Sequence, residues 1–111
     1  MAVSQAFMEF ACELFGGLGA IRARRMFGGA GVYAGEVMFA LIADDVIYIK
    51  AKGALADDLA AEGCEAFIFT PKSGKPAEMG YRRLPEAALD DPEDAERWAR
   101  RALDLAVSKK T

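Results

Sequence analysis

The spacing of apolar and polar residues changes period several times along the chain. After Ser4, a residue suited to capping a helix, Phe7, Ala11, Leu14 and Leu18 recur at helical spacing. Glu9 and Glu13 fall on the other side, and Gly16-Gly17 close the segment, so a helix is expected to about Phe15. A series of apolar runs follows, at about Ile21 to Phe27, Gly31 to Ala34, Val37 to Ala43 and Val46 to Ala51. Gly28-Gly29, Gly35 and Asp44-Asp45 separate them, and no proline interrupts them. That is the pattern of a strand meander.

The second half alternates between the two periods. Leu55 and Leu59 mark a helix from about Gly53 to Glu62, and Phe67 to Thr70 reads as a strand. Pro71-Lys72-Ser73-Gly74-Lys75-Pro76 is a loop by composition. Ala77 to Leu84 returns as a strand with Met79, Tyr81 and Arg83 on one face, and Glu86 to Leu89 suits a brief helical turn. Asp91-Pro92-Glu93-Asp94 is a strong helix start, combining a cap, a first-turn proline and acids at the positive end of the dipole. This helix is expected to reach about Val107. Ala95, Trp98, Ala102 and Leu105 face inward, with Leu103 and Ala106 beside them, and Arg97, Arg100 and Arg101 face outward. Lys109 and Lys110 suit its negative end.

This order predicts an α+β fold of two layers: a mainly antiparallel sheet of about five to six strands with helices packed on it. One strand conflicts with that layout. Val37-Met38-Phe39-Ala40-Leu41-Ile42 does not alternate, and Val46 to Ile49 behaves likewise. Both faces of the sheet are therefore apolar, and something must cover the second. A symmetric homodimer is the favoured cover, the two-fold homodimer being the commonest oligomer. The alternative places the first and last helices on opposite faces of one copy.

Size and charge narrow the field. A chain of 111 residues is expected to form one domain over residues 1–111. The net charge of −3 argues against a dedicated nucleic-acid binder, although bases gather locally. Cys12 and Cys64 are unclustered, which suggests reduced thiols in a cytoplasmic protein. No stretch approaches a membrane span, and no leader pattern is expected because Glu9 and Glu13 interrupt the N-terminal apolar positions.

Candidate chemistry is sparse. The absence of histidine removes the commonest general base and metal ligand, and with it every Ser-His or Cys-His dyad. Asp44-Asp45, Asp57-Asp58 and Asp90-Asp91 read as a hairpin turn, a solvated helix face and a helix cap. Gly29-Ala30-Gly31-Val32-Tyr33-Ala34 fits a loose dinucleotide pattern, but a strand follows it where a helix is required. Neither cysteine has a basic neighbour in sequence. No catalytic residue, cofactor or metal is expected. The candidates are surfaces: Arg22, Arg24 and Arg25 with Phe27, Gly28 and Gly29, and the loop of Lys72 and Lys75 with Tyr81 and Arg82. Together they suit phosphates or an acidic protein; separately they are ordinary guarded strand edges.

The run Arg24-Arg25-Met26-Phe27-Gly28-Gly29-Ala30-Gly31-Val32-Tyr33 resembles the signature of the TfoX N-terminal domain family. The likeness continues through Val37 to Ile42, Ala43-Asp44, Tyr48-Ile49-Lys50, Phe67-Ile68-Phe69 and the Lys72 to Tyr81 segment. It ends with Leu84-Pro85-Glu86, Asp91-Pro92-Glu93 and Trp98-Ala99, and covers roughly Phe7 to Ala106. The resemblance implies a domain found in bacterial regulators of competence genes, which act with a cyclic-AMP-responsive transcription activator. Those regulators carry a second, C-terminal helical domain, and this chain resembles the N-terminal domain alone. The expected function is a non-catalytic regulatory or interaction module that contacts an unidentified protein partner. The rivals are a nucleic-acid-binding accessory protein using the two basic clusters, and a small-molecule binder or unrecognised enzyme. The last predicts a closed pocket lined by Phe27, Tyr33 and Tyr81.

Overall fold

The computed structural model describes residues 3–26, 28–72 and 74–108. The elements run α1 (Gln5–Leu14), a 3-10 turn (Gly16–Leu18), β1 (Ile21–Met26), β2 (Gly29–Ala34), β3 (Val37–Ala43) and β4 (Val46–Lys50). There follow α2 (Gly53–Ala61), β5 (Ala66–Phe69), β6 (Ala77–Arg83), a second 3-10 turn (Glu86–Asp90) and α3 (Pro92–Ser108). The six strands form one sheet in the order β1-β2-β3-β4-β6-β5, and every neighbouring pair is antiparallel. Lys109 and Lys110, expected at the end of the last helix, lie outside the described residues.

Local chemistry sets the element ends. The Ser4 hydroxyl accepts from the Phe7 N–H at 3.1 Å, which satisfies one orphan donor of α1. Asp44 and Asp45 both have positive φ, 53° and 58°, as a two-residue hairpin turn between β3 and β4 demands. The Asp45 carboxylate also accepts from the Ser4 N–H at 3.2 Å, tying the start of α1 to that turn.

All three helices serve one core. α1 packs on β1 and β2, α3 on β3 and β4, and α2 on β6, while α1 and α3 touch each other. The two long helices therefore share a face, and the arrangement with helices on opposite faces does not occur. Phe15 from the end of α1 meets Phe39 of β3 edge-on at 5.3 Å, and both are fully buried. The inner face of α3 is centred on Ala95, Ala99, Ala102 and Ala106, all buried, whereas Trp98 and Leu105 are half-buried at its flanks. The expected face was therefore rotated slightly toward Trp98. Small side chains at the seam let the helix sit close to the sheet.

The non-alternating strand has a local cause. Val32 pairs with Ala40 and Tyr33 with Met38, so Phe39 is an extra residue inserted in β3. At such a bulge two residues oppose one, and the strand bends. Phe39 and Ala40 consequently both enter the helical side, each with no exposed surface. Met38 and Leu41, half-buried, face the other way. β4 does alternate: Ile47 and Ile49 are buried, and Val46, Tyr48 and Lys50 are half-buried on the opposite face.

Candidate functional site

The face of the sheet opposite the helices is open in the single chain. Directly opposed residues of an antiparallel pair share a face, so the registers assign each side chain. β1 contributes Arg22, Arg24 and Met26, opposite Tyr33, Gly31 and Gly29 of β2. β3 and β4 contribute Leu41 opposite Tyr48 and Ala43 opposite Val46. β4 and β6 contribute Lys50 opposite Tyr81 and Tyr48 opposite Arg83.

The bent sheet makes this face concave. A groove of about 780 Å³ runs across it, walled at one end by Gly28 and Gly29 and at the other by Phe67, Phe69 and Met79. Its floor includes Met26, Met38 and Leu41, with Tyr81 beside them, and Asp44 is the one charged residue in its lining. Gly31 is bare for a reason. A Cβ there would stand 2.9 Å from the Met26 sulfur, 3.0 Å from the Met38 sulfur and 3.2 Å from the Tyr33 ring. The missing side chain leaves room for two thioethers to meet on the floor.

The aromatic rings of this face are held by neighbours. The Arg22 guanidinium sits 5.5 Å from the Tyr33 ring centre and the Lys50 ammonium 5.3 Å from that of Tyr81. Tyr48 and Phe67 meet at 4.9 Å. Burial pushes the Tyr81 phenol above its ordinary value, and the nearby Tyr33 hydroxyl adds to the shift. Burial also raises Tyr48, with Glu65 and Asp44 adding and Arg83 opposing.

The residues singled out in the sequence separate. Arg22 and Arg24 are exposed on the open face, and Arg22 lies 3.8 Å from Glu36. Arg25 points to the helical side, where it donates to the Val3 carbonyl at 2.7 Å and anchors the segment ahead of α1. Arg82 is likewise on the helical side and donates to the Cys64 carbonyl at 2.6 Å. Lys72 and Lys75 are exposed in the loop between β5 and β6, at the far edge of the sheet from β1. Gly28, Gly29 and Tyr81 line the groove. Phe27 lies outside the described residues. The groove opens to solvent and is not a closed pocket, and of the three aromatics expected to line one, Tyr81 does and Tyr33 does not.

Of the residues that give the groove its character, only Met79 was set beside Tyr81 on one strand face from the sequence; Met26, Met38, Leu41 and Phe69 were not among the surface candidates. Their signal was the two-sided apolar strand, which located an uncovered face without saying which side chains shape it.

Chemistry for catalysis is thin among the described residues. No group of three Cys, Asp or Glu side chains converges, and no charged side chain is buried. Burial, reinforced by Glu9, raises the Cys12 thiol, and burial, reinforced first by Glu62, raises Cys64. Both shifts disfavour the nucleophilic thiolate. No described helix is long and apolar enough to cross a membrane.

No curated protein matches the chain by sequence. The family model of the TfoX N-terminal domain matches residues 13–106, which takes in every strand, α2 and most of α3. With that match spanning the whole six-stranded sheet and its groove, the chain belongs to the TfoX N-terminal domain family.

Proposed function

We propose that this domain is a non-catalytic interaction module whose open sheet face holds an apolar segment of a protein partner. The observation that carries the reading is the groove of about 780 Å³ floored by Met26, Met38 and Leu41 and walled by Phe67, Phe69 and Met79. Methionine is flexible and polarisable and recurs at surfaces that accept apolar helices. Arg24 and Lys50 stand on the same face beyond the groove's lining, so acidic residues suit the flanks of the occupant, away from Asp44. The family resemblance points to the transcription apparatus as the setting. The nucleic-acid reading gains less support, because Arg25 and Arg82 are turned to the helical side and spent on backbone carbonyls.

A photo-crosslinking residue placed at Met79 tests this in cells. The expected result is a recurrent protein adduct that disappears when Leu41→Glu is added and the fold is retained. Adducts to nucleic acid, or adducts equally abundant from a probe at Val107 on α3, would refute the reading.

A further inference from the structure

The two edges of the sheet are treated differently by the sequence. β1, at one edge, carries Arg22, Arg24 and Arg25, charges of the kind that discourage strand addition. β5, at the other edge, reads Ala66-Phe67-Ile68-Phe69, with neither a charge nor a proline. Among the described residues five large apolar side chains are exposed, and three of them belong to this hairpin: Ile68 at 48%, Phe69 at 40% and Met79 at 48%. They occupy both faces, since Ile68 opposes Glu78 on the helical side while Phe69 and Met79 line the groove. A hairpin with exposed apolar side chains on both faces and an unguarded edge is a surface that another strand covers.

The geometry points to a second copy of this chain as that strand, with β5 pairing antiparallel to β5 about a two-fold axis through Ile68. The Arg83 N–H donates to the Glu65 carbonyl at 2.9 Å, so Glu65 spends its backbone on β6. The β5–β6 register shifts between Ala66 and Ile68, but the extra residues lie on β6, and Phe67 and Phe69 both line the groove, so β5 keeps its alternation and turns the backbone groups of Ala66 and Ile68 toward the free edge. A two-fold axis normal to the sheet keeps helical face with helical face and groove face with groove face. In that register Ile68 meets Ile68 on the helical side, and Phe67 lies opposite Phe69 of the second copy on the groove side. Such aromatic cross-strand pairs stabilise sheets. Glu65 at one end of β5, whose carboxylate lies 3.6 Å from Arg83 of its own chain, comes beside Pro71 and Lys72 of the second copy, so no like charges are set against each other at either end. The segment is thus complementary to itself, as an isologous contact requires. The result is one continuous sheet built from two six-stranded ones, with a groove in each copy. This inference does not depend on what the groove holds.

Sedimentation equilibrium over a concentration series tests it, with Ile68→Lys as the perturbation and Arg24→Glu at the opposite edge as the control. The native chain is expected to dimerise. Ile68→Lys, which sets two ammonium groups across the axis at an exposed position, should weaken dimerisation by about tenfold or more, and Arg24→Glu should leave it unchanged. Amide exchange provides a readout free of substitution: the Ala66 and Ile68 N–H groups should exchange more slowly as concentration rises. A chain that stays monomeric up to about 1 mM overturns the proposal. So does a dimer that Ile68→Lys leaves intact, or one in which the two amides show no added protection.

Discussion

Gly29→Ala is the sharpest stability test of the β2–β3 register. Gly29 has no positive φ, so an alanine there meets no backbone objection of its own. The objection is spatial: an ideal Cβ would overlap the carbonyl oxygen of Ile42 on the neighbouring strand. That obstacle is backbone within a ladder and cannot swing aside as a side-chain tip would. Forcing one carbon into such a space costs about 1–3 kcal/mol. Replacing glycine also restricts the unfolded chain, which offsets roughly 0.4–1 kcal/mol of that loss. A net loss of about 1–2 kcal/mol remains, equivalent to a fall in Tm of roughly 4–8 °C for a domain near this size. Gly16→Ala is the matched control. No atom lies within 4 Å of its Cβ position and its φ is not positive, so only the unfolded-chain term acts. It should raise Tm by about 2–4 °C. Thermal melts followed by circular dichroism, with urea titrations to check that the slope is unchanged, separate the two. A Gly29→Ala variant as stable as the native chain would show that β2 and β3 do not approach in this register.

Two further outcomes follow from the ionisable groups. Tyr81 has a folded pKa raised by burial, so its contribution to stability is complete below the unfolded value of about 10 and is lost as pH climbs through the folded value. Tyr81→Phe should therefore lose stability less steeply than the native chain in urea titrations between about pH 9 and 11; parallel losses would contradict the placement of Tyr81. Both thiols are held above their ordinary pKa by burial and neighbouring carboxylates, and Cys64 is only 5% exposed. Ellman's reagent should react slowly with the native protein and promptly after denaturation, and rapid labelling of the folded chain at Cys64 would refute its burial.

Much of the fold was legible because its signals are local. Ser4 and the Asp91-Pro92-Glu93-Asp94 run mark helix starts by chemistry that needs no partner, and each turn of the meander announces itself through glycine or paired aspartates. What was hidden depends on pairing. Phe39 and Phe67 look alike in sequence, yet the bulge sends the first into the core while the second faces the groove. Arg24 and Arg25 look like one basic cluster, yet adjacent strand positions point to opposite faces, so only Arg24 shares the face with the groove. The candidate site was legible as an uncovered apolar face. Its shape was not, because the curvature that turns a flat face into a trough comes from the extra residue in β3 and from long-range register.

The alanine seam of α3 has a consequence for how this domain tolerates change. Ala95, Ala99, Ala102 and Ala106 fill the contact with a layer one methyl group deep. Such a layer has no slack. A larger residue at any of the four lifts the whole rod away from β3 and β4, while a shorter one has little to remove. Variation in interior volume must therefore be absorbed among Phe15, Phe39, Ile42 and Ile49, and the helix acts as a fixed ceiling above them.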